Sequence, residues 1–221
     1  MQKPPHLKRR TLVKGLAASS LIPLLGANLV GCSDSSDRVD SVAADFLHGV
    51  ASGDPLADRV ILWTRLTPET EGRVVVQWEV ARDEAFNDVV ASGRGSTDAS
   101  VDYTLKVDAA GLSPDSRYYY RFTAGDNTSP VGRTRTLPTG SVAAVSFAVV
   151  SCSNYPAGYF NVYREIVAED VDAVLHLGDY LYEYAPGGYA SDRAEEFGRV
   201  VQPANEIVSL QDYRTRYSQY R

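Results

Sequence analysis

The sequence predicts an all-β sandwich followed by the opening βαβ portion of an α/β domain, both behind a leader that directs export. Three observations carry this expectation. Residues 46–138 break into short β-branched and aromatic runs separated by turn residues, with no sustained helical period. After Thr136-Leu137-Pro138-Thr139-Gly140, which has no period and two breakers, the rhythm changes to strand, helix, strand. Residues 1–31 carry five cations and no acid, with an uncharged Leu-, Ala- and Gly-rich stretch from Gly15 to Gly31.

That leader reads as a charged region followed by an apolar one. It falls short of the about 20 strongly apolar residues that a membrane span needs, and it contains Pro23. Lys8-Arg9-Arg10-Thr11-Leu12-Val13-Lys14 resembles a twin-arginine translocation signal, which makes Arg9 and Arg10 the export determinants and the twin-arginine translocase a partner. Leu29-Val30-Gly31-Cys32 resembles a lipobox. It implies cleavage before Cys32, lipidation of that residue and anchoring at the cell envelope, on the periplasmic or extracellular face. The expected divisions are a signal peptide over 1–31, a polar tether over 32–45 containing Ser33-Asp34-Ser35-Ser36-Asp37, a sandwich over 46–138 and an α/β segment over 144–221.

Removing the five leader cations takes the net charge from −6 to −11, which excludes nucleic acid or anionic lipid as a bulk partner. With Cys32 lipidated, Cys152 is a lone thiol in an exported chain, and such a residue needs a chemical reason to be there.

The clearest sandwich strands are 60–65, 74–80, 102–107 and 118–122, with Gly53-Asp54-Pro55, Glu71-Gly72, Ser92-Gly93 and Gly125-Asp126-Asn127 read as the turns between them. Leu112-Ser113-Pro114-Asp115-Ser116-Arg117-Tyr118 resembles the turn that enters strand F of fibronectin type III domains. There the Leu plugs the core and the Tyr hydroxyl bonds back to the backbone as a tyrosine corner. Alternation puts Tyr118 and Tyr120 on one face and Tyr119 on the other, and Trp63 and Trp78 are expected as core anchors.

In the second part, Ala144–Val150 and Asp172–Leu177 read as strands covered on both faces, and Phe160–Ala168 as the helix between them, with Phe160, Tyr163, Ile166 and Val167 on one side. A second helix is expected from Leu210, beginning near Ser209. Parallel strands point their carboxyl ends at one edge, where open α/β sheets build sites. Cys152 follows the first strand, Asp179 follows the second, and Tyr182 lies three residues further on. A thiolate, a carboxylate and a phenolate together favour a trivalent ion such as ferric iron over zinc or magnesium, and the carboxylate's second oxygen can bridge to a harder cation. His176 lies two residues from Val174, on the same face of a strand read as buried, and is expected to be structural.

Several segments together resemble the PhoD-like alkaline phosphatases: 150–155 (Val-Ser-Cys-Ser-Asn-Tyr), 158–160 (Gly-Tyr-Phe), 176–184 (His-Leu-Gly-Asp-Tyr-Leu-Tyr-Glu-Tyr), 212–217 (Asp-Tyr-Arg-Thr-Arg-Tyr) with Tyr220-Arg221, and, in the first part, 46–55 and 61–65. The resemblance implies a fibronectin-III-like N-terminal domain and a calcineurin-like metallophosphoesterase domain whose usual Gly-Asp-x-x-Asp has become Gly178-Asp179-Tyr180-Leu181-Tyr182. It implies that Cys152, Asp179 and Tyr182 hold ferric iron, that Asp179 bridges to calcium, and that no other residue of this chain is catalytic. The substrates implied are phosphate monoesters and often diesters. The family's later Asn, Asp and His ligands have no counterpart here, so the chain is expected to be an N-terminal fragment, inactive alone. Two rival expectations are a lipid-anchored adhesion or polysaccharide-binding protein, which needs exposed aromatics on a sandwich face, and a zinc- or manganese-dependent phosphodiesterase.

Overall fold

Period-two alternation builds the first part of the molecule. The computed structural model describes residues 41–221; the leader, with Arg9 and Arg10, and Cys32 lie outside the described residues. The strands are β1 (Ala44–Asp45), β2 (Val50–Gly53), β3 (Arg59–Arg65), β4 (Thr67–Pro68), β5 (Val74–Ala81), β6 (Val89–Thr97), β7 (Thr104–Ala110), β8 (Arg117–Ala124), β9 (Asn127–Thr128) and β10 (Gly132–Arg135). They form a β2-β3-β7 sheet and a β10-β8-β5-β6 sheet with β9 beside β8, and β1 pairs with β4; every pairing is antiparallel.

Val60, Leu62 and Thr64 of β3 and Leu105, Val107 and Ala109 of β7 point inward from one sheet. Tyr118, Tyr120, Phe122 and Ala124 of β8 point inward from the other. Burying a side chain such as Phe122 contributes about 1.5–3 kcal/mol, so these faces hold the sandwich together. Leu112 is buried at the turn into β8, and the Ser113 N–H donates to the Tyr118 hydroxyl at 2.8 Å, forming the expected tyrosine corner.

Three expectations change. Residues 41–45, the end of the expected tether, join the sandwich: Ala44 is buried, β1 pairs with β4 and the Val42 N–H donates to the Arg73 carbonyl at 3.0 Å. Ser92-Gly93 is not a turn but lies inside β6. A Cβ on Gly93 would sit 2.7 Å from the Trp78 ring, so the strand's low-propensity composition is what lets that indole lie flat across it. Trp78 packs against the core from its edge, whereas Trp63 does not anchor the core. Leu62 and Thr64 occupy the inward parity of β3, which turns Trp63 to the opposite face.

The second part is a βαβ unit: β11 (Phe147–Val150), α1 (Asn161–Ala168) and β12 (Ala173–His176), with β11 and β12 parallel and Val150 paired to His176. Phe160, Tyr163 and Ile166 are half-buried, but Val167 is exposed. Phe147, Val149, Val174 and Leu175 also remain exposed, so these strands are not covered on both faces among the described residues. Two strands and one helix cannot enclose both faces of a parallel sheet.

The last element, α2 (Leu210–Tyr220), starts at a capping box in which Ser209 and Asp212 satisfy each other's backbone N–H groups. It docks on the sandwich. Arg214 Nε lies 2.6 Å from Asp102 Oδ1, Ser218 Oγ lies 2.9 Å from His48 Nε2, and Tyr217 stacks on the His48 ring. The βαβ unit makes further ion pairs with the sandwich through Arg117–Asp170 and Arg135–Asp172.

Candidate metal centre

The two parallel strands continue their ladder beyond their assigned ends. The Leu177 N–H donates to the Val150 carbonyl at 2.8 Å, Cys152 N–H to Gly178 at 3.1 Å and Ser153 N–H to Asp179 at 2.9 Å. Both chains then turn through left-handed backbone, with φ of 60° at Cys152, 118° at Gly178 and 53° at Asp179. Non-glycine residues take such values at a cost, and they cluster at functional sites. The paired turns bring Cys152 and Asp179 to one edge, where Cys152 Sγ lies 3.6 Å from Asp179 Oδ2.

Tyr182 completes the group by donating its hydroxyl to the same Asp179 Oδ2 at 3.1 Å. Among the described residues no three His, Cys, Asp or Glu side chains gather as a metal site, and the group formed here is one thiol, one carboxylate and one phenol. Loss of solvent around Tyr182 raises its pKa above the ordinary tyrosine value, and the adjoining Cys152 and Asp179 raise it further. Three groups that each become anionic on ionisation are thus held together, which fits a highly charged cation better than an empty pocket. Both contacts fall on Oδ2 of Asp179, and no hydrogen bond engages Oδ1 among the described residues.

His176 lies on an exposed strand, not the buried one expected, and its ring is held by hydrogen bonds. Its Nε2 lies 3.2 Å from Ser153 Oγ, Ser153 also bonds Tyr163, and its Nδ1 accepts from the Gly178 N–H at 3.2 Å. It therefore braces the residues following Cys152 and preceding Asp179. Sequence reasoning missed Arg216. This side chain is fully buried on α2 and donates to the carbonyls of Gln202 (2.8 Å), Tyr182 (2.5 Å), Tyr184 (3.2 Å) and Pro203 (3.2 Å). Burial lowers its pKa, yet four carbonyl acceptors compensate the cation.

Two family models match the chain: the PhoD-like phosphatase N-terminal domain over residues 31–138 and the PhoD-like phosphatase domain over residues 147–221. The chain belongs to the PhoD-like phosphatase family. It is similar to alkaline phosphatase D of Bacillus subtilis (strain 168), with 41% identity across 96% of this chain and 38% of that protein. Among solved structures it is similar to one described as the structure of PhoD, with 44% identity and a TM-score of 0.73 over 79% of this chain and 35% of that one. The chain thus spans well under half the length of these relatives. Membership accounts for the order of a β-sandwich followed by an α/β portion. In the sandwich Tyr118 and Tyr120 are buried, as alternation predicts, while Tyr119 takes the outward parity.

Proposed function

We propose that the protein to which this chain belongs is an exported phosphoesterase that hydrolyses phosphate esters at a metal centre held by Cys152, Asp179 and Tyr182. The observation that supports this most directly is the convergence of these three side chains on Asp179 Oδ2 at the carboxyl edge of β11 and β12. The soft thiolate with two anionic oxygens suits ferric iron, and the uncommitted Asp179 Oδ1 suits a second, harder cation such as calcium. Bound cations would supply charge neutralisation for the phosphoryl oxygens. The chain's own contribution is to fix the donors: the Ser153–His176 brace orients the two strand ends, and Arg216 holds the backbone of Tyr182.

The test is metal analysis and visible absorption of the full-length protein. Iron with a tyrosinate band that is lost in Tyr182→Phe and Cys152→Ser, together with turnover of a chromogenic phosphate ester, is the expected result. A colourless zinc or manganese protein with the same turnover would replace the iron reading with the phosphodiesterase one. The 221-residue chain alone is expected to turn over no ester, and rates equal to the full-length protein would overturn that.

Export and anchoring form the rest of the proposal. Arg9→Lys with Arg10→Lys is expected to leave precursor in the cytoplasm, and Cys32→Ser to abolish incorporation of labelled palmitate and release the protein from membranes. Unchanged fractionation in either variant would remove the corresponding step.

A further inference from the structure

Tyr182 belongs to two groupings at once. Its hydroxyl is among the metal-type donors, while its ring packs with Tyr184 (centroids 6.2 Å apart, interplanar angle 22°) and Tyr189 (5.9 Å, 33°), and Tyr184 closes the triangle with Tyr189 at 6.0 Å. The outer two rings are not core residues: Tyr184 is 42% and Tyr189 62% exposed. They are nevertheless fixed. Arg216 pins the Tyr184 carbonyl, and Asn154, two residues beyond Cys152, donates its amide to the Tyr189 carbonyl at 3.3 Å. Gly188 permits the fold-back, since a Cβ there would lie 2.7 Å from the Tyr184 Cβ and 2.9 Å from the Ala185 carbonyl. Open aromatic faces held in place next to a charged centre bind a planar group with little ordering cost.

We propose that Tyr184 and Tyr189, continuing the ring of Tyr182, form a stacking platform for the alcohol portion of the ester. The substrates favoured are then phosphate esters of planar aromatic groups, aryl or nucleoside, over those of flexible alkyl alcohols. This rests on the phosphoesterase reading. The continuity carries the assignment: one tyrosine both lines the donor cluster and begins the platform, so a phosphoryl group at the donors places its ester substituent beside the rings.

The experiment measures kcat/KM of the full-length protein for phenyl phosphate, adenosine monophosphate and glycerol 3-phosphate. The ratio of each aromatic ester to glycerol 3-phosphate is expected to fall about tenfold in Tyr189→Ala and in Tyr184→Leu, and to be restored within about twofold in Tyr189→Phe. A fall for adenosine monophosphate alone assigns the platform to nucleosides, and a fall for both assigns it to planar groups in general. Equal losses on aromatic and alkyl esters, or ratios unchanged in both variants, overturn the platform while leaving the phosphoesterase reading intact. Absence of turnover with every ester in the wild type overturns that reading and the platform with it.

Discussion

The guanidinium of Arg221 donates twice to the His48 carbonyl, from Nη2 at 2.6 Å and from Nε at 3.0 Å, and so ties the residue after α2 to the segment between β1 and β2. The same guanidinium lies 5.7 Å from the Trp63 ring centroid and reaches the Tyr180 hydroxyl at 3.4 Å, beside Asp179. The sandwich and the loop that follows β12 are therefore joined through one cation. Arg221→Ala is expected to lower stability by about 1 kcal/mol, and Arg221→Lys by less, because it keeps the charge but loses the fork. Urea midpoints check this.

His48 gives a pH signature. Burial lowers its pKa from 6.5 to about 4, and the positive charges of Arg65 and Arg221 add to that. Arg65 Nη1 lies 3.2–3.3 Å from both ring nitrogens and can only donate, so the ring must offer a lone pair. Tyr217 and Ser218 face it from α2. Because the folded pKa lies below the unfolded one, the stability contributed is complete above about pH 6.5 and is lost as pH falls towards about 4, on the order of 2 kcal/mol in all. Thermal melts of wild type and His48→Gln across this range should converge at the acidic end, and a constant gap would refute the linkage.

Arg216→Met should lower stability by about 3 kcal/mol, because it leaves carbonyls of residues 182, 184, 202 and 203 without their donor. It should also weaken metal binding more than Arg214→Met does, since the partner of Arg214 is the sandwich residue Asp102. Metal titration of the two full-length variants separates loss of the loop from loss of docking.

Gly93→Val should destabilise the sandwich by about 1–3 kcal/mol despite its better strand propensity, since its Cβ would lie 2.7 Å from the Trp78 ring. Pairing it with Trp78→Leu should recover part of the loss. Denaturant melts of the single and double variants read the coupling directly.

Tyr118→Phe should cost about 1 kcal/mol by stranding the Ser113 N–H. A stability within error of wild type in equilibrium unfolding would show that the corner is dispensable.

Much of this was legible where one local rule governed. Alternation identified β3, β5 and β8, the turn before Tyr118 identified the corner, and Ser209 marked the start of α2. The strand-end rule placed Cys152 and Asp179 at one edge, whereas the approach of Tyr182 depends on how the loop after Asp179 turns. What escaped depends on partners distant in the chain. β6 looks like a turn until Trp78 is placed across Gly93, and Trp63 looks like core until the parity of Leu62 is fixed. Arg216 acquires its role from carbonyls of residues 182–203, and Tyr189 acquires its neighbours from a fold-back at Gly188 that no period announces.

The left-handed backbone at Cys152 and Asp179 sets two demands against each other. Glycine would be the more comfortable occupant at either position, relieving about 1 kcal/mol at the cysteine and less at the aspartate, whose short polar side chain tolerates the conformation. A laboratory selection for heat resistance alone would then drift toward Cys152→Gly and remove the thiol as it hardened the protein. A selection that also scored the centre would hold both residues in place.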